Sequence, residues 1–528
     1  MAETKTIDES RRGAVTTDTE ALVIPRVVLL DLTEIIGDLY PALIRLMREQ
    51  HETKFLILAR DAATTAFFKQ HCTDTDVPVD LGEIERKAIV EGKSRDAGEI
   101  MRAARANEER YGITYMRDIV QLDRRISTRF NPGATQSVHT DHNDGTLTEI
   151  FGQTNSYFAD FERLLDEHGV DLVITRPDSR FGAAVTYIAA QRKIPVTVPG
   201  ASNFETFITW FCGPFMADDY LRHRTEALAE EPAPAQIEGS LVPGAAKRIA
   251  EQANKIATIS HMLRQWYRLS KFRVGHILLD IKLRRRRKRL GYIKIMWQQW
   301  RTYRAARYLI RVGKGQIEAL GDRPFVLFLL QVEPEYSTLC LAREFGHTEA
   351  IVYQLALCMP AGVTLVVKEH TPNIGNRAID FYCRLGKLPN VVFADYRLAG
   401  NELAEKARAV ATVSGSIGKQ STRLGKPALI FSSHVDYAFM PNVKVITSFY
   451  DLPDAVRWAV KERSEEEISE WKTAGARFYQ ALRSASFDAP GTRLFGGTVP
   501  NLPEGEAARA MDILIDVYNW QLEHGFRY

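Results

Sequence analysis

The chain has 528 residues, of which 45% are hydrophobic and 26% are charged. These proportions are typical of soluble globular proteins and exclude wholesale disorder or a collagen-like repeat. The 69 basic and 66 acidic residues give a net charge of only +3, and no apolar run is long enough to predict a membrane-spanning helix.

Residues 1–24 are polar and mixed in charge, which predicts a disordered tail without the apolar core of a signal peptide. From residue 25 onward, short apolar runs alternate with amphipathic helical patterns. The predicted strands are Val27–Leu32, Phe55–Ala59, Leu172–Thr175 and Pro195–Pro199. Such alternation is typical of βαβ units around a parallel sheet, so residues 25–230 predict a first Rossmann-like lobe.

Residues 231–315 predict a linker followed by a basic helical segment. Between Lys271 and Arg311 stand fourteen Lys or Arg residues and one acid, Asp280, so this segment carries +13 and the rest of the chain −10. We expect an anionic partner for such a segment. Aromatic residues beside dense positive charge favour a helix lying on anionic lipid headgroups. The predicted membrane-binding residues are Arg284, Arg285, Arg286, Arg287, Lys288, Arg289, Trp297 and Trp300.

Two other interpretations of the basic segment stay open. Nucleic acid competes as a partner because arginine clusters also bind phosphodiesters. No helix-turn-helix, zinc-finger or RNP-type motif accompanies the cluster, so we predict no nucleic-acid partner. The second interpretation is that the segment forms a solvated helix or a subunit contact without a lipid or nucleic-acid partner.

A second alternating series begins near residue 323 and predicts a second Rossmann-like lobe over residues 316–487. Its predicted strands are Phe325–Leu330, Thr364–Val367, Val391–Phe393, Ala409–Thr412, Ala428–Phe431 and Val443–Ile446. Residues 488–528 form a Pro- and Gly-rich link and a helix able to pack back across the lobes. The predicted fold class is α/β, with two doubly wound Rossmann-like lobes facing a cleft and a basic helical insertion between them.

Three polar clusters follow predicted strands of the second lobe. Gln331–Ser337 follows the first strand, Lys368–His370 the second, and Ser414–Gly418 the fourth. Ligands of open parallel sheets bind beyond the carboxyl ends of the strands. The three clusters are therefore expected to lie on one rim and to line one site.

Each cluster has a chemical interpretation and a structural alternative. The small residues of Ser414–Gly418 open a helix N-terminus that suits a phosphate, or they form an ordinary serine-capped helix start. His370, oriented by Lys368 and Glu369, would donate a hydrogen bond or positive charge to that phosphate, unless it is a satisfied structural histidine. Glu333 and Glu335 bracket a proline and would bind sugar hydroxyls or a cationic group, or remain solvated.

Four residues between positions 139 and 144 superficially resemble a metal site. They are His139, Asp141, His142 and Asp144. They lie in an Asn- and Gly-containing stretch without helical or strand spacing, which favours a solvated loop. The five scattered cysteines form no CxxC pair, which favours a reduced cytosolic chain. We predict no metal site.

Residues 325–431 resemble the capsule polysaccharide biosynthesis and export-type glycosyltransferases of GT-B fold. That family carries Gln-x-x-Pro-Glu-x-Ser/Thr, then Lys-Glu-His-Pro with Gly-x-Arg, then Ser/Thr-Gly-Ser/Thr-x-Gly with Gly-Lys-Pro. The matching stretches here are Gln331 to Ser337, Lys368 to Arg377, and Ser414 to Pro427. The first lobe resembles the family only in its pattern of strands and helices.

The resemblance implies transfer of a sugar from a nucleotide donor, with His370, Ser414 and Ser416 binding the donor phosphate. The donor-binding residues predicted on this basis are Gln331, Glu333, Ser337, Lys368, Glu369, Arg377, Ser414, Gly415, Ser416, Gly418 and Gln420. The sequence departs from the family pattern at two positions. Thr371 separates His370 from Pro372, and Gln420 stands where relatives usually have a glutamate.

Sugar transfer requires a stabilised leaving phosphate and a positioned acceptor hydroxyl. The predicted catalytic residues are Asp178, Glu335 and His370, with Asp178 as the base from the first lobe. Asp61 occupies an equivalent strand end, where a helix cap is the expected role.

We expect no cofactor beyond a nucleotide-sugar co-substrate, CMP- or UDP-linked, and an acceptor that is a glycan or a lipid-linked glycan. The expected location is cytoplasmic, peripheral on the inner face of the cell membrane. Two alternatives are a polyol-phosphate transferase of the teichoic-acid type and a non-catalytic glycan-assembly scaffold.

Overall fold

The computed structural model describes residues 22–32, 39–60, 69–123, 145–202, 204, 206–215, 218–230, 251, 253–268, 287–489, 502–503 and 505–526. Thirteen strands are found in these ranges. Seven of these strands form one sheet and the other six form a second. The strands are β1 Val27–Asp31, β2 Lys54–Ala59, β3 Val77–Asp80, β4 Leu172–Ile174, β5 Val196–Ala201, β6 Phe207–Cys212, β7 Phe325–Leu329, β8 Thr364–Lys368, β9 Val391–Phe393, β10 Ala409–Thr412, β11 Ala428–Ile430, β12 Val443–Val445 and β13 Ser486–Asp488.

The strand order identifies two Rossmann-like lobes. The first sheet runs β13-β6-β5-β4-β1-β2-β3 and the second runs β12-β11-β10-β7-β8-β9. All strand pairs of the second sheet are parallel, as are the pairs that β1, β2, β3, β4 and β5 form with one another. Strand β6 is antiparallel to both of its neighbours, β5 and β13. The chain reverses its direction of sheet growth between β1 and β4 and between β7 and β10. The α/β, two-lobed architecture predicted from the sequence is confirmed.

Helices cover both sheets and join the lobes. Those of the first half are Leu39–His51, Leu81–Ser94, Ala97–Tyr111, Met116–Leu122, Leu147–His168, Arg180–Gln191 and Asp219–Ala227. Those of the second half are Arg287–Gly313, Gln316–Leu320, Tyr336–Leu339, Thr348–Cys358, Ile379–Leu385, Gly400–Lys406, Ser416–Leu424, Leu452–Val460, Glu465–Ser484 and Glu506–His524. None of the helices in the described ranges is both long and apolar enough to cross a membrane.

Local signals explain where the helices begin and end. Thr146 and Glu149 form a reciprocal capping box at the start of Leu147–His168, which satisfies two amide donors that would otherwise lack acceptors. Gly169 ends the same helix at φ 60°, a left-handed conformation that glycine adopts without strain. This helix packs against Leu81–Ser94, Ala97–Tyr111 and Arg180–Gln191.

Burial on both faces explains the continuous apolar runs of the strands. In β7, Leu327 joins one hydrophobic cluster, whereas Val326 and Phe328 join another on the opposite face. Alternate side chains of a strand point to opposite faces, so helices must cover both sides of such a sheet. The cluster that contains Leu327 also contains Val28 and Leu30 of β1. A shared core therefore connects the two lobes.

The chain returns to the first lobe at its C-terminal end. β13 pairs with β6, and the indole Nε1 of Trp210 donates to the carbonyl oxygen of Ala510 at 2.8 Å. Gln521 Oε1 accepts from the Val196 amide at 3.0 Å. Residues from β13 to the last helix are therefore built into the first lobe, although the sequence pattern ends the second lobe at residue 487 and leaves 488–528 as a separate link and helix.

Candidate functional site

The three polar clusters meet at the carboxyl end of the second sheet. β7 lies between β10 and β8, so Gln331, the turn after β10 and the loop after β8 emerge side by side. The boundary between β7 and β10 is the point at which the strand order reverses. In open α/β sheets this is where a crevice for ligands forms.

Gln331 touches both neighbouring clusters. With its side-chain amide assigned the orientation in which the oxygen faces donors, that oxygen accepts hydrogen bonds from the Gly415 amide at 2.7 Å and from Thr412 Oγ1 at 3.1 Å, and the nitrogen donates to Ser337 Oγ at 2.9 Å. Its main-chain oxygen accepts from Nη2 of Arg377 at 2.5 Å. Gln331 therefore fixes the relative position of the turn and the β8 loop.

The turn after β10 leads into the helix Ser416–Leu424. Ser414, Gly415 and Ser416 are half-buried at the rim. The first amides of a helix lack intrahelical acceptors and carry the positive end of its dipole, so those of Ser416 and Ile417 are suited to an anion. Tyr437 holds the turn from beneath by donating its hydroxyl to the Gly415 carbonyl at 2.6 Å.

Two glycines of this turn serve close packing. A β-carbon at Gly415 would lie 2.6 Å from Thr412 Oγ1 and 2.7 Å from the side chain of Gln331. A β-carbon at Gly418 would lie 2.6 Å from the ring of Tyr437. Gly418 is buried against that ring, so its small size makes room for Tyr437. The sequence analysis instead predicts that Gly418 makes room for a ligand.

A buried ionic network supports the rim from behind. Arg377 Nη1 donates to both carboxylate oxygens of Glu369, at 2.8 and 2.7 Å, and Nη2 lies 3.3 Å from Glu333. Glu333 also accepts from the amide of Thr348 at 2.9 Å and from its hydroxyl, and Tyr382 donates to Glu369 at 2.7 Å. Glu333, Glu369 and Arg377 are thus held together in the interior, where they position the loop.

Burial and mutual charge shift the pKa values within this network. Desolvation disfavours the charged form of Arg377, but the carboxylates of Glu369 and Glu333 outweigh it and raise the pKa of the guanidinium. Desolvation, followed by the charge of Glu369, raises the pKa of Tyr382 well above its usual value. The network therefore contains a permanent cation held by two carboxylates.

His370 lies at the exposed edge of this loop. Its backbone amide donates to Glu369 Oε1 at 2.6 Å. Desolvation lowers the pKa of the imidazole, and the positive charges of Lys368 and Arg377 lower it further against the opposing effect of Glu369. The ring is therefore neutral at pH 7 in the absence of a ligand, and a phosphate bound beside it would raise that pKa again. Lys368 is buried and its pKa is lowered by desolvation.

The first lobe reaches the rim at the short helix Tyr336–Leu339. The Tyr336 hydroxyl donates to the carbonyl oxygen of Pro214 at 3.1 Å, and Cys340 Sγ lies 3.3 Å from that of Pro177. The helix therefore sits against the loop that carries Asp178. Glu335 lies on the other side of this contact, with its carboxylate 3.4 Å from Ser337 Oγ.

A second contact between the lobes passes through Lys419. Its ammonium group forms a buried ion pair with Asp436 and donates to the carbonyl oxygen of Ser202, in the first lobe, at 2.7 Å. Gln420, the next residue, is only 8% exposed. Helix Ser416–Leu424 thus joins the lobes through Lys419, which precedes Gln420, a predicted donor-binding residue.

Asp218, near this interface, provides a pH-dependence test. Burial raises its pKa to about 7, and the nearby Asp436 adds to the effect. An acid whose folded-state pKa exceeds its unfolded value destabilises the fold as pH rises between the two values. Asp218→Asn, which keeps the cap on the Leu221 amide, should therefore raise the free energy of unfolding at pH 8 by on the order of 4 kcal/mol.

Urea unfolding at pH 5 and pH 8 measures this effect, with the neighbouring half-buried Asp219→Asn as the matched control. We expect the two variants to differ more at pH 8 than at pH 5. Equal changes at both pH values would show that Asp218 is ionised in the folded protein.

The predicted membrane residues are only partly within the described ranges. Arg284, Arg285 and Arg286 lie outside them, and Arg287, Lys288 and Arg289 begin the helix Arg287–Gly313. Trp297 is 60% exposed, whereas Trp300 is partly buried with its ring 5.8 Å from that of Tyr303. The structure places the two tryptophans in different environments.

The same helix contacts the β8 loop. Gln298 Nε2 donates to Asn376 Oδ1 at 2.8 Å, and Arg301 donates to the Asn376 carbonyl at 3.0 Å. Asn376 precedes Arg377 in sequence. The basic helix is thus attached to the loop that holds His370.

Asp61 and the group His139, Asp141, His142 and Asp144 lie outside the described residues. Within the described ranges, no three His, Cys, Asp or Glu side chains are grouped as metal ligands would be. The sequence interpretation omits Thr412, Asn373 and Tyr437, which hold Gln331 and the turn. Thr412 ends a strand, so its position alone was a usable signal.

No protein-family model and no curated protein sequence matches the chain. Solved structures do align. UDP-GlcNAc 2-epimerase from Methanocaldococcus jannaschii aligns at 13% identity over 87% of this chain and 99% of its own, with a TM-score of 0.24. KpsC, the beta Kdo 2,4 transferase from Thermosulfurimonas dismutans, aligns at 15% over 58% and 79%, with a TM-score of 0.29.

An alpha,alpha-trehalose-phosphate synthase (UDP-forming) from Burkholderia vietnamiensis aligns at 9% identity over 94% of this chain and all of its own, with a TM-score of 0.31. TM-scores and identities at this level carry no functional argument. The fold assignment rests on the strand order of the chain itself.

Proposed function

We propose that this protein is a glycosyltransferase that uses a nucleotide-activated sugar to extend a capsule or other cell-surface polysaccharide at the inner face of the cell membrane. One observation carries the proposal: Gln331 joins the turn after β10 to the loop after β8 at the switch point of the second sheet. The motif resemblance concerns the same residues. Nucleotide-containing ligands commonly bind in such a crevice.

In this proposal the second lobe holds the leaving phosphate. The amides of Ser416 and Ile417 would donate to its oxygens, with Ser414 Oγ and the ring of His370 beside them. Hydrogen-bond donors aimed at a charge that grows in the transition state lower the barrier without reorganising during the reaction. Glu333, Glu369 and Arg377 act indirectly, because their buried network fixes the loop.

The first lobe would place the acceptor hydroxyl. Asp178 stands on the first-lobe side of the Pro177–Cys340 contact and Glu335 on the other. Either carboxylate would take the acceptor proton, which must be within hydrogen-bond reach of the base. We place the base on the first lobe, opposite the lobe that holds the donor, so the proposed base is Asp178. Glu335, whose carboxylate accepts from Ser337 Oγ, is assigned an orienting role.

A nucleotide screen tests the proposal. Thermal shifts with CMP, UDP, GDP and CDP, followed by mass spectrometry of products from the corresponding nucleotide sugars, should show one stabilising nucleotide and a sugar added to an acceptor. Transfer from a CDP-polyol would instead identify the polyol-phosphate transferase. No stabilisation by any nucleotide would identify a scaffold and contradict the proposal.

Removing the two side-chain donors, those of His370 and Ser414, should weaken nucleotide binding while the fold persists. His370→Ala and Ser414→Ala are each expected to raise the dissociation constant by about tenfold or more, because a hydrogen bond to a charged group contributes about 1.5–3 kcal/mol. Calorimetric titration measures this, with His51→Ala in the first lobe as control. Unchanged affinity in both variants would remove these residues from the site.

The basic helix should bind anionic membranes. We expect the full chain to associate with phosphatidylglycerol vesicles at 50 mM salt and to dissociate at 500 mM, since each basic residue near the surface contributes about 1 kcal/mol that salt screens. Replacing Arg284–Arg287 by Gln should abolish the association. Equal binding to phosphatidylcholine vesicles, or salt-independent binding, would contradict the electrostatic role.

A further inference from the structure

A cavity of about 720 Å³ lies on the edge of the second lobe opposite the rim. Its lining includes Pro324 and Pro427, which immediately precede β7 and β11, and Ala407, which lies two residues before β10. The cavity is therefore at the amino ends of the parallel strands. The five residues of β7 separate it from Gln331 by about 16 Å, at roughly 3.3 Å per residue.

The lining of the cavity is strongly cationic. It includes six basic side chains and two acidic ones, Glu318 and Asp322. The basic side chains are Arg323, Lys406, Arg408, Lys426, Lys461 and Arg463. Like charges that converge in a concave surface raise the local concentration of anions. Cavities of 300–1,000 Å³ are of the size that holds small ligands.

Carbonyl oxygens orient two of these cations without neutralising them. Arg323 Nη2 donates to the carbonyl of Ala319 at 2.8 Å, and Lys426 Nζ donates to the carbonyl of Ala407 at 2.6 Å. Desolvation, and then the neighbouring charge of Arg408, lowers the pKa of Lys426. Cations held close together by neutral groups leave a positive field that a bound anion would relieve.

Carboxylates balance the remaining charge only in part. Arg463 is neutralised by Glu467 at 3.0 Å and lies against the rings of Trp458 and Trp471. Arg408 pairs with Glu462 at 3.5 Å, but the Glu462 side chain is 89% exposed. An exposed pair of this kind is weak. Lys406 and Lys461 are themselves exposed.

We propose that this cavity is a second ligand site, which binds a small multivalent anion carrying phosphate or carboxylate groups. Cations fixed by backbone carbonyls form charge-assisted hydrogen bonds to such groups. The site is separate from the rim and does not depend on the proposed transferase activity. If no anion binds the cavity, the proposal for the nucleotide site is unaffected. If no nucleotide binds the rim, the proposal for the cavity is unaffected.

Calorimetric titration of the full chain at constant ionic strength tests the site. The probes are inorganic tripolyphosphate for the phosphate class, trigalacturonate for the carboxylate class and maltotriose as the neutral analogue. At least one anion should bind, and maltotriose should not. The double variant Lys406→Ala/Lys461→Ala should bind that anion about tenfold more weakly, the loss expected for two solvent-exposed charge contacts.

The control variant Lys93→Ala/Lys387→Ala removes the same charge from exposed positions outside the cavity and should bind like the unmodified protein. Three outcomes would overturn the proposal. They are binding of neither anion, equal weakening in both double variants, and binding that survives Lys406→Ala/Lys461→Ala but is lost in Ser414→Ala. The last result would assign the anion to the rim.

Discussion

Arg377→Met is expected to lower the free energy of unfolding by about 3–5 kcal/mol, because it leaves the carboxylates of Glu369 and Glu333 buried without their cation. The side chains of Arg377 and Glu369 are 2% and 0% exposed. Removing one member of such a pair costs far more than the pair itself contributes. The change also releases the main-chain oxygen of Gln331, so nucleotide binding should weaken with stability.

The matched control is Arg384→Met on the same segment. Arg384 also makes two hydrogen bonds to one carboxylate, that of Glu349, but its side chain is 57% exposed. Exposed pairs contribute little to stability, so chemical denaturation should show almost no change. Similar losses for the two variants would show that burial of the Arg377 network does not support the rim.

Gly415→Ala is expected to weaken nucleotide binding by more than tenfold. The new β-carbon would stand 2.6 Å from Thr412 Oγ1 and 2.7 Å from the amide group of Gln331. One of these side chains must move, and either movement breaks the contacts that align the turn with the β8 loop. Overpacking of this kind also costs about 1–3 kcal/mol of stability.

Gly400→Ala provides the comparison for this substitution. A β-carbon there meets only the flexible end of Leu329, at 3.2 Å. It should leave both nucleotide affinity and unfolding midpoint close to those of the unmodified protein. If Gly415→Ala binds nucleotide as tightly as Gly400→Ala, the packing of Gln331 against the turn has no part in binding.

Most strands of both lobes could be predicted because parallel strands buried on two faces are continuous apolar runs. β7 and β8 are of this kind. The sequence prediction omits β6, although its sequence is also such a run. β3, whose residues are half-buried to exposed, and β13, which is three residues long, lack that signal. β13 exists because β6 offers it a partner far away in sequence, which no local pattern shows.

The position of the rim could be predicted from the sequence, but which of its side chains face a ligand and which hold the loops in place could not. The ends of β7, β8 and β10 predict where polar side chains gather. Whether Glu369 faces a ligand or Arg377 depends on how the loop folds over the sheet, which has no periodic signature. The same holds for Tyr437, which approaches Gly415 from a loop after β11.

The position of the phosphate tests the central claim most directly. A crystal structure of the protein with the nucleotide that the thermal-shift screen selects should place phosphate oxygens within hydrogen-bond distance of the Ser416 and Ile417 amides, with the His370 ring beside them. A nucleotide bound elsewhere on either lobe, with the Ser414–Ser416 turn and His370 free of phosphate contacts, would contradict it.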